Sequence, residues 1–269
     1  MPKVILRGEI TLRDYLGCDK EIFLDSGAHT AFHQDVEIDI NKYIDFIKTQ
    51  KVDVYANLDV IGSHEGTAQN QKTMEVAGLN PLPVWHLSEP FSVLKQLANS
   101  YPYVGIGVSQ SKSSEIRANT ASSIFEYFPN TKFHMFAVTQ PKTLAAYPFY
   151  SADSTTWLNS GKYGALITTD GYLMIGRENT DSDRHYSKMS RADQIAWQTY
   201  FKLQGLDIKD LLDNYESRLS ASAKYFLALE AAINSFETPI KTKKLLDSFF
   251  TVQQVRKVVQ CLKKKLWDI

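Results

Sequence analysis

The chain has 269 residues, of which 43% are apolar and 22% charged, and its 30 basic residues balance 30 acidic ones. At roughly 100 to 200 residues per domain, this length suits one large α/β domain or a domain with an extension. The composition excludes disordered, collagen-like and mucin-like classes, and the neutral total excludes a global field for polyanions, so nucleic acid has to meet a local patch.

Short runs rich in Val, Ile, Phe and Tyr mark eight expected strands: Val4 to Leu6, Ile22 to Leu24, Val52 to Leu58, Pro83 to His86, Tyr103 to Gly107, Lys132 to Ala137, Phe149 to Ala152 and Ala165 to Thr168. Between them, apolar residues recur at helical spacing: Ile40, Tyr43, Ile44 and Ile47; Phe91, Leu94 and Leu97; Ile116, Ala121, Ile124 and Phe128. Gly78-Leu79-Asn80-Pro81 and Pro129-Asn130 end helices ahead of strands. Alternating strands and helices predict an α/β fold with a parallel sheet. Eight β runs allow a closed (β/α)8 barrel over residues 1–188, although the crossover between Ala137 and Phe149 is short. An open doubly wound sheet is the alternative, but no G-x-G-x-x-G opens the first helix.

After Thr168 the pattern changes. Thr169-Asp170-Gly171-Tyr172 is a turn signal between two β-like runs, and Arg177 to Arg184 reads as a polar loop. Residues 189–269 form a helical extension, with helices expected at Ser190 to Leu203, Ile208 to Tyr215, Ser220 to Phe236 and Thr251 to Trp267. Lys241, Lys243, Lys244, Arg256, Lys257, Lys263, Lys264 and Lys265 make its end basic, either as a solvated helix face or as contacts for nucleic-acid phosphates. The two cysteines, Cys18 and Cys261, support neither a disulfide framework nor a Cys-based zinc site. No stretch approaches the roughly 18 apolar residues of a membrane span, so a cytoplasmic location is expected.

Polar residues gather just after the β runs: Asp25-Ser26-Gly27, Asp59, His86, Ser109-Gln110 and Asp153-Ser154-Thr155. In a parallel barrel these positions converge on the C-terminal rim, where active sites are built. One Asp after a strand reads first as a helix N-cap; three on one rim point equally to chemistry. Paired carboxylates support acid, base and nucleophile roles at a glycosidic centre. Asp25, Asp59, His86 and Asp153 also make a possible oxygen-rich divalent site, without an H-x-H or H-E-x-x-H pattern. His29 and His33 share a face if their loop is helical, whereas His64 and His185 read as exposed. His134 and Met135 lie in a strand, where Met135 is core or stacks on a planar ligand. Gly105 and Gly107 mark close approach of a backbone or ligand, or packing alone.

The ordered series F-L-D-S-G-A (23–28), A-N-L-D-V-I (56–61), Y-V-G-I-G-V (103–108), F-H-M-F-A-V-T-Q-P (133–141) and Y-P-F-Y-S-A-D-S-T-T-W (147–157) resembles the queuine/archaeosine tRNA-guanine transglycosylase superfamily, most closely its small phage and bacterial members thought to act on DNA guanine. The resemblance implies a (β/α)8 barrel that exchanges guanine for a 7-deazaguanine, such as 7-cyano-7-deazaguanine, by double displacement and without a cofactor. It gives Asp153 the role of nucleophile at C1′ and gives Asp25, in the D-S-G motif with Ser26, the handling of the purine proton. Asp59 would read the N1–H and 2-amino edge, Gly105 and Gly107 would lie against the purine, and Met135 would stack on it. His86 stands where the family often has an amide side chain. The tRNA enzymes carry a C-x-C-x-x-C zinc site that two cysteines cannot build, which favours DNA as the partner.

Two other readings start from the same residues. A metal-dependent hydrolase would use the rim Asp and His side chains to activate water and would lose activity on chelation. A non-enzymatic nucleic-acid-binding protein would use the basic end, with the Asp residues acting only as caps.

Overall fold

The computed structural model describes residues 10–17, 19–107, 114–169, 171–237 and 252–257, with the backbone alone over 114–119. The chain divides into two units, one formed by residues 1–137 with 149–152 and the other by 138–148 with 153–269.

In the first unit the strands are β1 (Phe23–Leu24), β2 (Val54–Tyr55), β3 (Val84–His86), β4 (Tyr103–Gly107), β5 (Lys132–Met135) and β6 (Ser151–Ala152). The helices are α1 (Leu12–Leu16), α2 (Ala28–His33), α3 (Ile40–Gln50), α4 (His64–Val76), α5 (Phe91–Ser100) and α6 (Ser114–Tyr127). Every pairing is parallel: β1 with β2, and then β3, β4, β5 and β6 in sequence order. A parallel bridge between Ala56 and Leu82 links the two sets. The protein is therefore an α/β protein with parallel sheets. The β5 run stops at Met135 because the chain turns at Phe136 and Ala137, whose φ of 58° leaves the β region.

Right-handed crossovers between sequential parallel neighbours put the connecting helices on one face. Leu94 of α5 and Ala121 and Ile124 of α6 are buried there, Trp85 meets Phe91 edge-on, and Phe133 meets Phe125 edge-on. The opposite face carries Phe23, Gly105 and His134. The Phe23 ring stacks on His134 with centroids 4.4 Å apart and lies 6.0 Å from Phe136. These residues belong to strands four steps apart, and neighbouring strands in a flat sheet are about 4.8 Å apart, which would separate them by roughly 19 Å. The sheet therefore curls, with its helices outside. Within the curl, the Ser151 hydroxyl hydrogen-bonds both His134 Nδ1 and the Tyr103 hydroxyl, each at 2.6 Å, tying β4, β5 and β6 together.

The first strands are held from their N-terminal side. Asp53 accepts from the Ile22 backbone N–H at 2.7 Å and pairs with Arg13, and the Ile22 hydrogen bond, with Arg13 beside it, holds the carboxyl below its ordinary range. Helix α3 starts at the Asp39 cap, and its Tyr43, Ile44 and Ile47 stripe packs with Leu24, Leu58 and Met74.

In the second unit, β7 (Ala165–Thr168) and β8 (Gly171–Met174), which flank the expected turn, pair antiparallel. The expected eighth strand thus pairs with β8, and among the described residues it does not extend the parallel series; the expected strand at Val4 to Leu6 lies outside them. The helices are α7 (Pro141–Ala146), α8 (Thr156–Lys162), α9 (Arg191–Leu203), α10 (Ile208–Asp213) and α11 (Tyr215–Asn234), with a further helical stretch at 252–257. Leu166, Leu173 and Ile175 share one core with Trp197, Phe201, Leu211, Val252 and Val255. The hairpin therefore packs with the helices that follow residue 189, where the helical extension was expected to begin. Buried Arg218 joins the pieces: it donates to the carbonyls of Gly161, Leu211 and Leu212 and pairs with Glu178 at 2.7 Å. Among the described residues no helix is long and apolar enough to cross a membrane.

Candidate active site

At the C-terminal end of β3, His86 has a carboxylate on each ring nitrogen. Nε2 lies 3.3 Å from Asp59 Oδ2 and Nδ1 lies 3.2 Å from Glu89 Oε1. Burial alone would push the imidazole down, but the hydrogen bonds and charges of Asp59 and Glu89 outweigh it and lift the pKa from 6.5 to about 10. At neutral pH the ring is an imidazolium that donates to both carboxylates.

Local structure fixes each partner. Glu89 closes a turn on His86, its N–H donating to the His86 carbonyl at 2.8 Å. Asp59 sits in a loop bound to α4: Asn57 donates to the Thr67 carbonyl at 2.8 Å, Asn70 donates to the Leu58 carbonyl at 2.8 Å, and Thr67 Oγ1 accepts from the Val60 N–H at 2.9 Å. The second oxygen of Asp59, Oδ1, is buried and has no hydrogen-bond partner among the described residues.

The glycines of β4 make room for this cluster. A Cβ at Gly107 would stand 2.8 Å from His86 Nε2 and closer still to Cδ2, and a Cβ at Gly105 would stand 2.6 Å from the Phe136 ring. Both positions receive side chains of the same unit. Phe136 thus lies across β4 on the inner face, beside Phe23 and His134.

Asp25 follows β1 and is exposed. It and Asp59 both act on the Tyr43 hydroxyl, which donates to the Ala56 carbonyl at 2.9 Å; burial first, then the charges of Asp25 and Asp59, raise that phenol well above its ordinary range. Asp25, Asp59 and His86 are therefore grouped at one end of the parallel strands. Ser26 is buried, and its hydroxyl accepts from the Ala28 N–H at 3.4 Å, a contact that serves the start of α2.

Other expected residues fall elsewhere. Met135 is 2% exposed and pairs in register with Ile106 on the helix-covered face, one residue out of phase with the inner face, so the strand pleat directs it into the core rather than beside His86. Asp153 directly follows β6, is exposed and belongs to the second unit. His185, expected on the surface, is buried because its ring nitrogens bond Ser187 and the carbonyls of Ile175 and Gly176. His29 and His33 do share a face of α2, with their Nε2 atoms 3.2 Å apart. Of the basic end, Arg256 lies 2.9 Å from Asp193 and Lys257 is exposed, while Lys241, Lys243, Lys244, Lys263, Lys264 and Lys265 lie outside the described residues, as do Ser109 and Gln110.

No protein-family model and no curated protein matches the chain.

Among the described residues, no group of three His, Cys, Asp or Glu side chains is arranged to hold a metal ion. Asp59 and Glu89 meet opposite nitrogens of His86 and so do not converge on one point. Sequence reasoning missed Glu89 and Phe136. The H-L-S-E spacing of residues 86–89, which brings Glu89 back over the turn, was the available signal for the first.

Proposed function

We propose that the protein is a guanine transglycosylase of (β/α)8-barrel type that replaces guanine in DNA with a 7-deazaguanine in the cytoplasm. The observation that carries this reading is the gathering of Asp25, Asp59 and charged His86 at the C-terminal ends of consecutive parallel strands in a sheet that curls with its helices outside. The (β/α)8 form is the closure that such a series reaches when continued. Asp153 directly follows β6 in the sequence.

In this reading Asp153 attacks C1′ of the target nucleotide as the bond to guanine N9 breaks, giving a glycosyl ester on its carboxylate. Asp25 supplies the proton taken up by the leaving guanine and accepts the one released when the 7-deazaguanine attacks C1′ and frees Asp153. Asp59 Oδ1 accepts from the donor edge of the base. Phe136, rather than Met135, supplies an aromatic surface on the inner face. The target base must be extruded from a duplex or lie in a single strand, and the basic C-terminal segment serves as the phosphate contact.

The test is incorporation of labelled 7-cyano-7-deazaguanine into guanine-containing DNA and, separately, bulk tRNA, with and without EDTA. Label entering DNA, unaffected by EDTA and abolished in Asp153→Asn, supports the proposal. Loss on chelation favours metal-dependent chemistry, and label entering neither polymer refutes the reading.

A further inference from the structure

We propose that His86 is a positioning residue for Asp59: pinned between Asp59 and Glu89 in the space left by Gly107, it fixes one oxygen of the Asp59 carboxylate and leaves the other for an N–H donor of a bound molecule. The proposal rests on the transglycosylase reading only for the identity of that molecule as a purine-type base.

Two contacts restrain the ring. Asp59 Oδ2 and Glu89 Oε1 hold its two nitrogens at 3.3 and 3.2 Å, and its edge fills the space at Gly107 where any side chain would collide. Asp59 is in turn restrained through its loop by Thr67 and Asn70. With Oδ2 committed to His86, the remaining oxygen is a buried acceptor that no group among the described residues meets. Buried acceptors are rarely left unmet, so a donor from outside the chain completes this one. A molecule presenting adjacent N–H groups fits, whereas one presenting only acceptors meets a carboxylate head-on.

The choice of histidine follows from its two acceptor neighbours. An imidazolium donates on both sides, while the amide of a glutamine donates from one end only and would set its oxygen against a carboxylate. Among the described residues, the titratable groups facing the ring are Asp59 and Glu89; β4 contributes Gly107, which brings no charge. Asp25 and Tyr43 stand beyond Asp59, with the Tyr43 hydroxyl bound to the Ala56 carbonyl.

The experiment combines nitrogen-detected NMR of the His86 ring in the full chain with calorimetric binding of 7-cyano-7-deazaguanine, measured across pH for wild type, His86→Gln and Glu89→Gln. Both ring nitrogens are expected to stay protonated through pH 8. Loss of a charge-assisted contact in His86→Gln is expected to weaken probe binding by about tenfold to a hundredfold. Glu89→Gln retains an acceptor for Nδ1, so binding at pH 7 is largely kept but declines at lower pH than in wild type, a shift that a merely structural residue would not produce. A His86 midpoint near the ordinary 6.5 overturns the proposal, as does wild-type affinity in His86→Gln. If wild type does not bind the probe, the base-exchange reading fails on its own and the ring titration alone decides the clamp.

Discussion

Replacing Gly107 with alanine tests the seat of His86 directly. The added methyl would stand 2.8 Å from Nε2, and closer still to Cδ2, where ordinary contacts begin near 3.4 Å. The ring must therefore retreat by a large fraction of an ångström. It cannot do so freely, because Asp59 at 3.3 Å and Glu89 at 3.2 Å hold its two ends. If the ring stays, overpacking costs about 1–3 kcal/mol; if it swings away, a charge-assisted hydrogen bond worth roughly 1.5–3 kcal/mol is lost instead. Either route lowers stability by about 2 kcal/mol, read as a reduced urea midpoint at unchanged slope. The ring-nitrogen signals of His86 should move with it. A variant within about 0.5 kcal/mol of wild type, the ordinary range of surface substitutions, with unchanged His86 signals would refute the packing argument.

Four further outcomes are expected. His86 is raised from 6.5 to about 10 in the folded chain, so its contribution to stability is complete below pH 6.5 and is lost as pH rises towards 10; His86→Gln should lack that part of the alkaline decline in a pH series of urea melts. Arg218→Met removes a buried guanidinium that donates to three carbonyls and pairs with the exposed Glu178, and should cost about 2–3 kcal/mol by denaturation, with a loss under about 1 kcal/mol arguing against a continuous second core. Phe23→Ala should cost about 3 kcal/mol if its ring bridges to His134 and Phe136 inside the curl, and well under 1 kcal/mol if it does not. Asp153→Ala should abolish base exchange while DNA affinity, measured by fluorescence anisotropy, stays within a few fold; equal loss of both would remove Asp153 from the role of nucleophile.

Much of the fold is written in local patterns. Tyr103 to Gly107 forms the strand its β-rich run implies, and the Ile40, Tyr43, Ile44 and Ile47 stripe forms a helix, because both periodicities report a face buried by near neighbours. Asp25, Asp59 and His86 were legible as strand-end residues for the same reason. For Met135 the sequence left core and ligand stacking both open: a strand shows which residues alternate, but which phase faces the helices depends on the sheet. Phe136 was hidden by the same ambiguity, lying one residue further on and on the inner face. His185 looked solvent-exposed because the carbonyls that bury it, those of Ile175 and Gly176, come from the end of β8.

By itself the sequence determined the alternation of strands and helices, the parallel pairing it implies, and which acidic residues end the strands, since each depends on spacing within a few residues. Tertiary structure decided what those residues do to one another. Gly107 is a glycine because a histidine from the neighbouring strand occupies its Cβ position, and His86 is a cation because two carboxylates, from another loop and from its own turn, overcome the burial that would neutralise it. Both effects depend on separations of about 3 Å between groups of the same unit that lie apart in the sequence, Asp59 and His86 on one side and His86 and Gly107 on the other. Sequence spacing carries no record of such distances until the sheet has curled.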